Sequence, residues 1–154
     1  MNKSKLVLWG ETRMISHANE LSENDIKNLK QWLAALDDNN HENGVIIGVD
    51  GGSISLLLQS GEIFLGFGSA LGSDRATQAA KNAIDGIENI LSNAAFICEL
   101  VVAKDFNLEE IEEAVTETNR AAAPDTNMVF SAIKSEECKD SIVAIVLASA
   151  KECV

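Results

Sequence analysis

Apolar side chains return at Ile26, Leu29, Trp32, Leu33 and Leu36, the spacing of one helix face. Ser22-Glu23-Asn24-Asp25 stands before them as a capping box, with Leu21 and Ile26 placed as a hydrophobic staple. The pattern predicts a helix over about 22–36. Leu6–Trp9 reads as a short strand and the polar run from Asp37 to Gly44 as a loop. Beyond it, Val45–Val49 reads as a buried strand and Ile63–Ala70 as another. Residues 53–60 fit two descriptions. Ile54, Leu56, Leu57 and Leu58 suit a short helix, while Ser60-Gly61 suits a hairpin turn.

Ser73 is placed to cap the next helix, whose inner face is Ala76, Ala79, Ala80, Ala83, Ile84, Ile87 and Leu91. Side chains this small imply close approach to a sheet, and Gly86 weakens the helix's end. Ala95–Ala103 reads as a strand. Asn107 with Glu110 caps a helix that turns Leu108, Ile111, Val115, Thr118 and Ala122 inward and Glu109, Glu112, Glu113 and Glu117 outward. Strands over 128–134 and 142–149 follow. This order predicts an α+β domain over 45–154, a sheet with helices on one face, preceded by an N-terminal extension over 1–44.

Composition narrows the function classes. The 154 residues are 46% hydrophobic, enough to bury a core without metal or disulfides. Twelve basic residues against 24 acidic ones leave a charge of −12, which argues against nucleic acid and against an anionic membrane as partners. No run reaches the ~18–20 apolar residues of a spanning helix, and Leu6-Val7-Leu8 is too short for a signal-peptide core. Cys98, Cys138 and Cys153 form no metal-ligand spacing, and Cys98 lies in an apolar run as a small buried hydrophobe. A reduced, cytoplasmic protein is expected.

Candidate chemistry is sparse. Gly66-Phe67-Gly68-Ser69-Ala70-Leu71-Gly72 runs from a strand into a helix, the context of a phosphate-binding turn. Its third glycine misses the dinucleotide spacing by one residue, and Asp74 would repel a phosphate there. The acidic residues at 109–117 read as a solvated helix face, and His17 and His41 stand apart in polar surroundings. Neither Walker loop nor nucleophile elbow occurs, and no cofactor or metal is implied. Gly48-Val49-Asp50-Gly51-Gly52-Ser53 is more informative: a strand ending in Asp-Gly-Gly resembles the first phosphate loop of the actin and sugar-kinase superfamily. That resemblance implies a nucleotide- or phosphate-binding protein or enzyme using Asp50, Gly51 and Gly52. The chain is too short for both lobes of that fold.

A second resemblance covers more of the chain. Arg120-Ala-Ala-Ala-Pro124-Asp125-Thr126-Asn127, then Lys139-Asp140-Ser141 with its apolar run, resembles the C-terminal domain of the FtsZ/tubulin family of bacterial cell-division GTPases. Gly66-x-Gly68-x-Ala70-x-Gly72-x-x-Arg75-Ala76 and the alanine pairs after it resemble that family's G-x-G-x-A-x-G-x-x-R-A segment. The resemblance implies a two-layer α/β sandwich built on a mixed sheet. It also gives the Asp50 segment another meaning, since the family carries an N-x-D-x-x-D synergy loop here that helps position the attacking water in the next subunit. The matching residues are Gly48, Asp50 and Ser53, so one carboxylate of two is kept. The family's glycine-rich nucleotide loop is absent and residues 1–44 are too short for its GTP-binding domain. Independent GTP hydrolysis is therefore not expected. A non-catalytic interaction domain is, with an FtsZ-like filament subunit or a second copy of itself as partner and Asp50, Gly51, Gly52 and Ser53 as contact candidates. The helix near 22–36 stands where the family's long central helix joins its two halves, and a complete small protein is expected rather than a fragment.

Overall fold

A computed structural model describes residues 5–9, 12–16, 22–37, 45–47 and 62–150. Among these, seven strands form one mixed sheet: β1 (Lys5–Trp9), β2 (Thr12–Ser16), β3 (Val45–Ile47), β4 (Glu62–Ala70), β5 (Ala94–Ala103), β6 (Asn127–Lys134) and β7 (Ile142–Ala150). Their order across the sheet is β1-β2-β4-β7-β5-β6-β3. β7 lies antiparallel between β4 and β5, while β5 and β6 pair in parallel. Strands β4, β5 and β6 therefore run the same way and end at one edge of the sheet. The helices are α1 (Glu23–Asp37), α2 (Arg75–Ile84), the single turn α3 (Glu88–Leu91) and α4 (Leu108–Ala121).

The alternation of side chains along each strand sorts the core into two layers. Ile63 and Leu65 of β4, Cys98, Leu100 and Val102 of β5, and Val143, Ile145 and Leu147 of β7 point to one face. Ile97 and Val101 of β5 and Ala144, Val146 and Ala148 of β7 point to the other. The central strands are buried on both faces, so they read in sequence as continuous apolar runs.

Helices α2, α3 and α4 cover the second face, with Ala76, Ala79, Ala80 and Ala83 of α2 turned to the sheet. The first face is covered by α1 through Leu29 and Trp32, with Ile26 packed at their margin. The two-layer α/β arrangement expected for the later part of the chain is present, and α1 adds a helix beneath its sheet. Strand β2 was not foreseen, because Thr12-Arg13-Met14-Ile15-Ser16 carries no turn signal of its own. It pairs in parallel with β4 and antiparallel with β1, lengthening the sheet at that edge.

Local chemistry accounts for the helix limits. Ser22 and Asp25 exchange hydrogen bonds, each backbone N–H donating to the other's side chain at 3.1 Å, and this capping box starts α1. The Asn107–Glu110 box starts α4 in the same way. Asp74, not Ser73, occupies the cap position of α2, and its side chain makes no capping hydrogen bond. Helix α2 stops at Ile84, and Gly86 takes up a left-handed conformation (φ 87°) in the turn to α3. On α4, Ile111, Ala114 and Thr118 are buried, whereas Leu108, expected inside, is 68% exposed at the helix's first position.

Candidate functional site

The glycine-rich stretch of β4 serves packing. Gly66 and Gly68 lie on the face beneath α2, where an added Cβ would overlap the carbonyl oxygens of Ala83 and Ala79 respectively. The absence of side chains lets the helix backbone rest on the strand, and the alanines of α2 complete the approach. Neither glycine faces an open phosphate site. Gly72 alone uses its conformational freedom, turning the chain at φ 95° between β4 and α2.

Arg75, in the first turn of α2, organises the edge of the sheet where β4, β5 and β6 end. Its Nε donates to Glu110 Oε2 at 2.6 Å and its Nη2 to Glu110 Oε1 at 3.0 Å. Nη2 also donates to the Asp105 carbonyl and Nη1 to the Asp140 carbonyl. One guanidinium thus ties the starts of α2 and α4 to the loop after β5 and the turn before β7. Both side chains are less than one-fifth exposed. The Arg75 hydrogen bonds hold the Glu110 carboxyl below its ordinary range, against the opposing effect of burial, and Glu110 in turn raises the Arg75 guanidinium further. A cavity of about 560 Å³ opens beside the pair, bordered by Lys104, Phe106, Asn107 and Lys139. Every nitrogen of Arg75 already donates, so the guanidinium positions elements and offers no free fork to an anion.

Among the described residues, one carboxyl lies in the interior. Glu99, in the middle of β5, is fully buried on the α2–α4 side of the sheet. Burial pushes it up to about 8, opposed in part by the nearby Thr118 hydroxyl of α4, which approaches without completing a hydrogen bond. Neither of its oxygens completes a hydrogen bond among the described residues, and the Thr118 hydroxyl is likewise unsatisfied. At neutral pH Glu99 is a neutral acid inside an apolar layer. Burial also drives the thiols up, Cys98 to about 12 and Cys138 to about 11, which removes both as nucleophiles. No group of three or more His, Cys, Asp or Glu side chains among the described residues could hold a metal ion, and no described helix is long and apolar enough to cross a membrane.

Gly48, Asp50, Gly51, Gly52 and Ser53 lie outside the described residues, as do the ambiguous stretch 53–60, both histidines and Cys153. Strand β3 brings the chain to their threshold, pairing Val45 with Ile133 and Ile47 with Ala132 of β6. The clamp made by Arg75 was not foreseen as a contact. Both halves were visible separately, the arginine in the G-x-G-x-A-x-G-x-x-R-A segment and Glu110 in a capping box, but 35 residues separate them.

Comparison with known proteins decides the family. Residues 61–151, more than half of the chain, match the model of the FtsZ family, C-terminal domain. This chain belongs to the FtsZ family. A cell division protein FtsZ of Mycoplasmopsis pulmonis is 31% identical over 98 residues, covering 62% of this chain and 25% of that protein. Two solved structures of FtsZ from M. jannaschii, a point mutant and an empty dimer, share the fold with TM-scores of 0.67 and 0.62, each at 18% identity. They cover 83% and 86% of this chain and 40% of their own. The chain therefore spans a quarter of the length of its curated FtsZ relative. The matched segment contains β4 through β7 with α2, α3 and α4, so the Gly66/Gly68 contact and the Arg75 clamp both belong to the FtsZ-like part.

Proposed function

We propose that this chain is a non-catalytic FtsZ-family interaction domain, acting in the cytoplasm in cell division, that docks on an FtsZ-type filament subunit or on a second copy of itself. The observation that carries this reading is a core closed on both faces of the sheet by the chain's own helices, α1 through Leu29 and Trp32 on one side and α2–α4 on the other. A unit packed in this way can present the family's surfaces as a rigid body without a nucleotide-binding half. The chemistry agrees. The best-organised charged group, Arg75 with Glu110, is spent on tying elements together, and the buried Glu99 and Cys98 face apolar surroundings. Asp50, Gly51, Gly52 and Ser53 are the proposed contacts, with Asp50 the single carboxylate kept from the synergy-loop pattern.

Sedimentation with GTP-assembled FtsZ tests the proposal. The chain is expected in the pellet, or the amount of polymer is expected to change, and Asp50→Ala should weaken either effect. Absence of both co-sedimentation and any change in assembly would overturn filament docking. Light scattering of the chain alone then reads out self-association, and a monomer at high concentration would remove that version too.

A further inference from the structure

The two edges of the sheet end differently. At one of them β3 has three residues and a register shift between Val45 and Ile47, the short, irregular form that blunts an edge against further pairing. At the other, β1 keeps five residues in unbroken antiparallel register with β2, from Lys5 opposite Ser16 to Trp9 opposite Thr12. No strand among the described residues pairs with the outer side of β1. Lys5-Leu6-Val7-Leu8-Trp9 contains no proline, no glycine and no acidic residue, and its single charge stands at one end. The backbone N–H and C=O groups along that side are therefore a template for another strand. The β1–β2 hairpin precedes the residues 61–151 that match the family's domain, so this edge is an addition to the FtsZ-like part.

Charge and symmetry select the occupant. Up to residue 16 the chain has three basic residues, Lys3, Lys5 and Arg13, against Glu11, a net +2 that leaves −14 for the rest of a chain of −12. Two copies that meet through their acidic bodies repel each other. Pairing through β1 places both basic hairpins in the middle and holds the two β4 strands five strand spacings apart, about 24 Å, against a Debye length of about 8 Å. A strand of odd length can also pair with itself. With a two-fold axis at Val7, Leu6 stands opposite Leu8 of the second copy and Lys5 opposite its Trp9. All five residues are then used and no charge faces a like charge. Because the β3 edge is blunted, association closes at two copies. One five-residue strand pair buries less than the ~1,200 Å² of a stable interface, so the dimer is weak and concentration-dependent.

We infer that the outer edge of β1 pairs antiparallel with β1 of a second copy about a two-fold axis at Val7, joining two seven-stranded sheets into one. The inference rests on the self-association arm of the proposed function and names its surface. Size-exclusion chromatography with light scattering on the full chain, from micromolar to near-millimolar concentration, is expected to show the mass rising towards twice the monomer's. Val7→Lys sets two ammonium groups opposite each other across the axis and should weaken association roughly fivefold or more. Thr116→Lys, an equal charge change at an exposed position of α4, should leave it within about twofold. Crosslinking in a Cys153→Ser background reads the register, the thiols of Cys98 and Cys138 being buried. Across the axis the two thiols of Val7→Cys lie about 5 Å apart and a short bismaleimide should join them, whereas those of Lys5→Cys lie about 13 Å apart and should join far less. A chain that stays monomeric throughout would overturn the inference together with the self-association arm, while co-sedimentation with FtsZ still judges filament docking separately. A dimer that survives Val7→Lys, weakens equally with Thr116→Lys or crosslinks equally through Lys5→Cys would overturn the β1 assignment alone. Circular dichroism confirms that each variant is folded, and where Val7→Lys is not, the crosslinking pair decides.

Discussion

Glu99 is the residue whose surroundings most clearly oppose its chemistry. Its folded-state value of about 8 lies well above that of an unfolded glutamate, so the folded protein holds a proton the unfolded chain releases. The associated stability is intact below the unfolded value near pH 4.5 and is lost as pH rises towards 8. Melting temperature should therefore fall between pH 5 and 9 in the natural protein, and Glu99→Gln should flatten that slope in calorimetry. An unchanged slope would mean that other groups set it. Arg75 and Glu110 act in the opposite direction. The carboxyl is held low, so its contribution is present above pH 4–5 and fails as acid protonates it. Arg75→Ala should cost about 2–3 kcal/mol in urea unfolding at pH 7, because the partly buried Glu110 is left without its partner. A double-mutant cycle with Glu110→Ala should return a coupling of about 1–3 kcal/mol.

Among the elements, α2 on β4 is the contact with least tolerance. Gly68→Ala puts a methyl group into the backbone of α2 at Ala79 and Asn82, and no side-chain rotation relieves it. The substitution should lower stability by at least about 2 kcal/mol, read as a shift in the urea midpoint. Alanine at an exposed position of a helix would do no such harm. Helix α1 is held differently, by side chains rather than by backbone proximity. Leu29→Ala should cost about 2–4 kcal/mol, and in a Trp9→Phe background the emission of Trp32, 6% exposed in the native fold, should move to the red if α1 leaves the sheet.

For the molecule as a whole, the proposed role predicts behaviour towards nucleotide. Millimolar GTP or ATP with magnesium should leave the melting temperature unchanged, since a ligand that binds the native state raises it with the logarithm of its concentration over its Kd. A rise of several degrees would favour the Asp50-Gly51-Gly52 segment as a phosphate loop over the docking role.

Much of this architecture was legible in order of residues. The alanine repeat of α2, the two capping boxes, the apolar runs of β5 and β7 and the G-x-G-x-A-x-G-x-x-R-A segment each act within a few residues of themselves, through helix periodicity, local hydrogen bonding or strand alternation. They were sufficient to place the family and the elements other than β2 within the described residues. What lay beyond them depended on contacts between distant parts of the chain. Gly66 and Gly68 look like a ligand turn until α2 is laid across them, because a missing side chain has the same spelling whether a phosphate or a helix fills the space. Arg75 looks like a surface cation until α4 and two loops converge on it. Glu99 looks like one acid in an acidic chain until the strands on either side of β5 and helix α4 remove its water. Burial and convergence belong to the packed arrangement, and only the tertiary structure decided them.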